Sequence, residues 1–249
     1  MIGAGPGDPG LITVKGLNLL KKADVVIYDR LVSPQLVKQC KSSTRRIYVG
    51  RRPGEHAISE DDIVKMMIEE AHKGKHVVRL KGGDPMLFGR GGEEAELLRQ
   101  AGIEFRIVPG ITSAIAVPAY AGIPITHRKC ASSVAIITGH DYFAKHELVN
   151  WKKLATSVDT MIILMGMARL EEIVRELLLG GLPRNVKVAI VEWGTTSRQR
   201  TVTGTLSNIA SRSKAHKLEP PAVIVIGEVV KYQRRLAWFR PKRETNRIT

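Results

Sequence analysis

Cysteine is scarce in this 249-residue chain: Cys40 and Cys130 are the only two. Two thiols so far apart build neither a disulfide framework nor a zinc-type spacing, so a reducing compartment, the cytoplasm, is expected. No apolar run approaches the roughly 20 residues that a membrane span needs, no signal peptide precedes the first glycine-rich turn, and no membrane association is expected. Aromatic residues make up only 5%. With no aromatic-interleaved basic strand, zinc finger or helix-turn-helix, a nucleic-acid partner is not expected. The histidines lack metal-ligand spacing: His72 and His76 stand four apart, but Gly74 between them ends the helix that would align them. No metal is therefore expected. Ser132-Ser133 and Thr195-Thr196-Ser197 lack the Gly-x-Ser-x-Gly context of an activated serine. Tandem repeats and low-complexity tracts are absent too.

Positive charge, in contrast, is abundant. Lys and Arg number 39 against 24 Asp and Glu, a formal net charge of +15. Such an excess favours an anionic partner, whether nucleic acid, membrane headgroups or a substrate dense in carboxylates or phosphates. Hydrophobic residues at 43% supply a real core.

The hydrophobic pattern alternates helix and strand. Helical spacing at 14–22 leads into an apolar strand at 23–28 that stops at Asp29-Arg30. A short strand at 46–49 precedes a helix at 59–73, with Ser59 as its cap and Asp61 and Asp62 in the first turn, where unpaired N–H groups favour negative charge. A strand at 76–80, a helix at 92–100 and a strand at 105–108 follow, then a helix at 111–120. The second half predicts strands at 133–138, 160–164, 187–191, 200–203 and 222–226, and helices at 170–179 and 206–213. The short loop between 191 and 200 implies an antiparallel pair. The expected fold class is α/β in two domains, 1–110 with a mostly parallel sheet and 114–249 with a mixed one. Residues 240–249 read as a polar, frayed tail.

The chemistry-bearing motifs fall where strands end, the place where ligands gather in open α/β sheets. Gly3-Ala4-Gly5-Pro6-Gly7-Asp8-Pro9 brings bare backbone close to a ligand, or makes a structural turn. It is neither a dinucleotide fingerprint, since prolines interrupt it, nor a phosphate loop, since no Gly-Lys-Ser/Thr closes it. The second motif, Lys81-Gly82-Gly83-Asp84-Pro85, continues to Gly92. Its glycines and carboxylate clamp a ligand or build an Asp–Pro turn. Asp29, at a strand tip, orients a ligand, acts as a general base, or merely caps a turn. The basic patches at 49–54 and 126–129 offer guanidinium forks to carboxylates, or are solvated charge.

Taken together, GAGPGDPGLIT (3–13), ADVVIYDRLVS (23–33), VRLKGGDPMLFGRGGEE (78–94), VPGITSAIAVPAYAGIPITHR (108–128), ITGHD (137–141), LMG (164–166) and VEWGT (191–195) resemble the tetrapyrrole methylase family. The resemblance implies two α/β domains with S-adenosylmethionine in the intervening cleft, released as S-adenosylhomocysteine, and a homodimer. It further implies two methyl transfers to C2 and C7 of uroporphyrinogen III, giving precorrin-2 by way of precorrin-1 for sirohaem or cobalamin biosynthesis. Implied cofactor contacts are Pro6, Gly82, Gly83, Asp84, Leu87, Thr112, Ser113, Met165, Ala189 and Gly194. Asp29 matches the proposed proton acceptor, and Arg30, Arg51, His127 and Arg128 fall to the substrate. Arg51 stands where relatives place a lysine proton donor; a guanidinium stays protonated, so an anchoring role is expected there. Relatives also carry several apolar residues before the GAGPG turn where this sequence has two, so a shortened first strand is expected. Other activities within the family are methylation of a later corrinoid intermediate and ribose methylation of RNA.

Overall fold

The computed structural model describes residues 1–50, 58–139 and 149–241. The chain divides into two compact units, Met1–Thr112 and Ser113–Thr249.

The first unit is built on four parallel strands, β1 (Ile2–Gly3), β2 (Val25–Tyr28), β3 (Arg45–Tyr48) and β4 (Val77–Lys81), in the order β1-β4-β2-β3. Its helices are α1 (Val14–Leu20), α2 (Pro34–Val37), α3 (Glu60–His72) and α4 (Gly91–Gln100). Alternation along a strand sends successive side chains to opposite faces. Val26, Val78 and Leu80 pack with Leu20 and Leu36 on one side, while Val25, Ile27 and Val77 pack with Ile63, Val64, Met67 and Leu98 on the other. Both faces are covered, as a parallel sheet requires. Ser59 caps α3 as expected, its Oγ accepting the Asp62 N–H at 3.1 Å, with Glu60, Asp61 and Asp62 in the first turn. The strand expected at 105–108 does not form: Val108 alone bridges Ile2. Among the described residues its partner is β1, which is two residues long and carries no longer ladder.

The second unit holds β5 (Val134–Thr138), β6 (Thr160–Leu164), β7 (Lys187–Glu192), β8 (Arg200–Thr205) and β9 (Ala222–Ile226) in the order β5-β6-β9-β7-β8. β5 and β6 are parallel; β9 runs antiparallel to β6 and β7, and β8 to β7, the mixed sheet and hairpin that the sequence implies. Its helices are α5 (Ser113–Tyr120), α6 (Trp151–Leu154), α7 (Leu170–Leu179), α8 (Ile209–Ala215) and α9 (Gln233–Leu236). α8 starts later than the expected 206 because Leu206 is drawn wholly into the core and Asn208 Oδ1 accepts the Thr205 N–H at 2.8 Å, closing a turn first.

One carboxylate fastens the starts of β5 and β6. Asp159 Oδ2 accepts from the N–H and hydroxyl of both Ser132 (2.8 and 3.1 Å) and Ser133 (3.0 and 2.8 Å), and the Asp159 N–H donates to Ser133 Oγ at 2.9 Å. These donors, the Ser132 N–H foremost, hold the Asp159 carboxyl down at about 2 from its ordinary 3.8. A depressed carboxylate stabilises the fold above its unfolded value and loses that contribution as pH falls toward the folded one. Asp159→Asn is therefore expected to lower the urea midpoint at neutral pH, with the gap to wild type closing as pH falls from about 4 to about 2. A gap independent of pH would contradict this.

Candidate active site

In the first unit all strands run the same way, so the loops after β1, β2 and β4 emerge at one edge of the sheet. There the two glycine-rich loops pair with each other. The Ala4 N–H donates to the Lys81 carbonyl at 2.8 Å, the Gly83 N–H to Gly5 O at 2.8 Å, and the Gly5 N–H to Gly83 O at 3.2 Å. The Pro109-Gly110 turn closes against them so tightly that a Cβ on Gly110 would lie 2.2 Å from Gly83 O, and one on Gly3 2.4 Å from Gly110 Cα. Asp84 fixes this arrangement: Oδ1 accepts the Met86 N–H at 2.8 Å and Oδ2 the Gly110 N–H at 2.9 Å. Its carboxylate thus braces the loop, and the turn reading of this motif holds at least that far. Pro6, Gly82 and Leu87 are half-buried at the same edge. Thr112 is half-buried just beyond the Pro109-Gly110 turn.

Asp29 follows β2 directly, 31% exposed, and Arg30 beside it is exposed. Arg79 Nη2 donates to Asp29 Oδ1 at 2.6 Å. Nε of the same guanidinium donates to Glu94 Oε1 at 3.1 Å, and Lys81 Nζ donates to that oxygen at 2.6 Å. Arg79, Lys81 and Glu94 are all buried. The sequence reading missed this group, although two cations alternating at 79 and 81 inside an apolar strand were its signal. Arg51 lies outside the described residues, as do His56, His140, His146 and the tail 242–249.

In the second unit, β5, β6 and β7 end at one edge, since β9 is antiparallel to both β6 and β7. Gly139 and Gly166 meet there backbone to backbone, a Cβ on Gly139 falling 2.4 Å from Gly166 Cα. Met165 is half exposed at 51% with φ 56°. Trp193 and Thr195 flank Gly194 with φ 47° and 66°, and a Cβ on Gly194 would strike Val117 Cγ1 at 2.4 Å. Phe88 and Arg90 after β4 are left-handed as well. Non-glycine residues held at positive φ cost about 1–3 kcal/mol each and cluster at functional sites. Here five of them follow strand ends in the regions the motifs single out. Ser113 opens α5. Ala189 is fully buried mid-strand, opposite Thr203 and Val225. His127 stacks on Tyr232 at 4.1 Å between ring centres and its Nδ1 accepts the Lys129 N–H at 3.2 Å, while Arg128 in the same turn is exposed. Among the described residues no group of three or more His, Cys, Asp or Glu is placed to hold a metal ion, and no helix is long and apolar enough to cross a membrane.

Each of the two α/β units gathers glycine backbone and left-handed residues at the ends of strands, the position at which open α/β sheets take small ligands. The chain belongs to the tetrapyrrole methylase family: the family described as Tetrapyrrole (Corrin/Porphyrin) Methylases matches residues 1–210. It is 51% identical over 234 residues to a uroporphyrinogen-III C-methyltransferase of Methanocaldococcus jannaschii, covering 92% of this chain and 95% of that protein. It is 49% identical over 232 residues to the enzyme of that name from Priestia megaterium, covering 93% and 98%. Among solved structures it is similar to uroporphyrin-III C-methyltransferase from Thermus thermophilus complexed with S-adenosylhomocysteine, at TM-score 0.77 and 36% identity over 92% of this chain and 97% of that one.

The glycine contacts give a direct test. Gly110→Ala, a backbone clash without unfavourable φ, is expected to destabilise by about 3 kcal/mol, the upper end for an overpacked site. Gly74→Ala, with φ +72° and open space around it, should cost only about 1 kcal/mol. Urea denaturation of the two variants separates clash from backbone strain.

Proposed function

We propose that this chain transfers two methyl groups from S-adenosylmethionine to C2 and C7 of uroporphyrinogen III, giving precorrin-2 by way of precorrin-1. The observation that carries this reading is identity of about half over more than nine-tenths of two proteins named for that activity. The strand-end glycine loops agree with it in kind. They bring bare main chain to the strand ends, which suits close approach by a small ligand, and the half-exposed Met165 offers a flexible apolar contact. S-Adenosylmethionine, when bound, supplies an electrophilic sulfonium methyl.

Pro6, Gly82, Gly83, Asp84, Leu87 and Thr112 from the first unit, with Ser113, Met165, Ala189 and Gly194 from the second, are its proposed contacts. Ala189, enclosed in β7, acts by its small size rather than by a surface of its own. Arg30, Arg51, His127 and Arg128 orient the eight carboxylates of the tetrapyrrole, and alignment of its pyrrole carbon with the methyl is the main catalytic contribution. A C–C bond forms as the C–S bond breaks onto sulfur, and Asp29 accepts the proton that the methylated ring then loses. Arg51 anchors charge. The same reading makes the protein a cytoplasmic homodimer, its product feeding sirohaem or cobalamin, with no metal, nucleic-acid or membrane partner.

Anaerobic incubation with uroporphyrinogen III and S-adenosylmethionine, followed by mass spectrometry of the tetrapyrrole, should show a gain of two methyl groups. No gain with cofactor binding intact would move the acceptor to a later corrinoid or to RNA. Asp29→Asn is expected to lower kcat by about 10²–10⁴, the range for a lost general base, with cofactor affinity unchanged by calorimetry.

A further inference from the structure

We infer that Arg79 is a positioning residue for the reaction, and that Glu94 and Lys81 exist in this fold to hold it in that role. This rests on the reading of Asp29 as proton acceptor. Ile27 and Arg79 are register partners on β2 and β4, so Asp29, two residues beyond Ile27, is delivered to the face of the sheet from which Arg79 and Lys81 also project. That face is covered by α3 and α4 and packs Val25, Ile27, Ile63, Met67 and Leu98, with the Arg45–Glu70 pair on β3 and α3.

Within it the side chains of Arg79, Lys81 and Glu94 are 4%, 5% and 2% exposed, while Asp29 at 31% is the one member that reaches solvent. The guanidinium spans the pair, with Nη2 on Asp29 Oδ1 at 2.6 Å and Nε on Glu94 Oε1 at 3.1 Å. Lys81 Nζ loads the same Glu94 oxygen at 2.6 Å, and Glu94 sits in the first turn of α4, where the helix favours a negative charge. Glu94 Oε2 is buried with no hydrogen-bond partner among the described residues.

An apolar replacement for such a group is often neutral or stabilising, so its presence in a layer packed mainly from apolar side chains is poorly explained by stability. The geometry explains it by position. A guanidinium is planar and its forks are rigid, so fixing Nε on Glu94 fixes where Nη2 meets Asp29. With Oδ1 held, no hydrogen bond from the described residues reaches Oδ2. That oxygen is left to meet the proton, and the carboxylate cannot swing away from it.

The test is a double-mutant cycle read in kcat and in the KM values of both substrates. Arg79→Met is expected to lower kcat by about tenfold to a hundredfold, the scale for misplacing a reacting group, with KM for S-adenosylmethionine changed less than about threefold. In an Asp29→Asn background the same change should cost no more than about twofold, because the group it positions is gone. Glu94→Gln, which keeps size and one acceptor, should show a smaller loss confined to kcat, and serves if Arg79→Met does not fold. Equal losses from either substitution in both backgrounds, or wild-type kcat in the single variants, would overturn the assignment. If the wild-type chain transfers no methyl group at all, the underlying reading fails and takes the inference with it; an active wild type with additive variants removes the inference alone.

Discussion

The contact on which the first unit depends is one of backbone against backbone. Gly3, Gly83 and Gly110 come from three separate segments, and Gly3 and Gly110 approach each other and the Gly83 carbonyl so closely that neither of the two tolerates a Cβ. Two hydrogen bonds between Gly5 and Gly83, and the two that Asp84 accepts, lock the approach. The result is a sheet edge built largely of main chain. A side chain at Gly3 or Gly110 would close that edge. The second unit repeats the solution with Gly139 against Gly166 and Gly194 against Val117. It adds left-handed Met165, Trp193 and Thr195, whose conformations are stored at the same strand ends.

This constraint clarifies the charge of the molecule. The buried group of Arg79, Lys81, Glu94 and Asp29 holds two cations and two anions, so it contributes nothing to the formal +15. The surplus is therefore carried by other residues, and the exposed Arg30 and Arg128 are two of them. A surplus of that kind steers and orients a polyanion before any specific contact forms. Under the proposed function, recognition of carboxylates and the chemistry at Asp29 fall to different cations. The surface guanidiniums are free to meet substrate, whereas Arg79 is committed to the protein.

Most of the fold was legible in the sequence because the buried strands are short, β-branched runs broken by glycine. β6 and β9 fall where the apolar pattern places them, and the β7–β8 hairpin follows from its loop length. The strand at 105–108 was misread because strand propensity says nothing of whether a partner is long enough to pair with it. The start of α8 was misread because a buried leucine and an asparagine turn took precedence over helical spacing. At the site, the glycine loops were visible as motifs, but what each does was not. The bracing of Gly110 by Asp84 joins residues 26 apart, and the Asp29–Arg79 bond residues 50 apart. Alternation could have exposed the second, since Arg79 and Lys81 occupy the face on which the apolar residues of β2 and β4 are packed.

A buried ion group also ties stability to activity in a definite direction. Removing one partner leaves an uncompensated charge in the layer under α4, a loss of about 3–5 kcal/mol in comparable cases. That is a large part of the roughly 5–15 kcal/mol by which a domain of this kind is stable. The geometry at Asp29 therefore cannot drift by gradual loosening of its support. While the unit is folded, Lys81 and Arg79 share Glu94, and Arg79 holds the carboxylate. A carboxylate on a strand tip is ordinarily free to sample several rotamers. Anchoring it to the interior of the sheet, rather than to a neighbouring loop, gives it the rigidity of the core while leaving its second oxygen at the strand-end edge of the sheet.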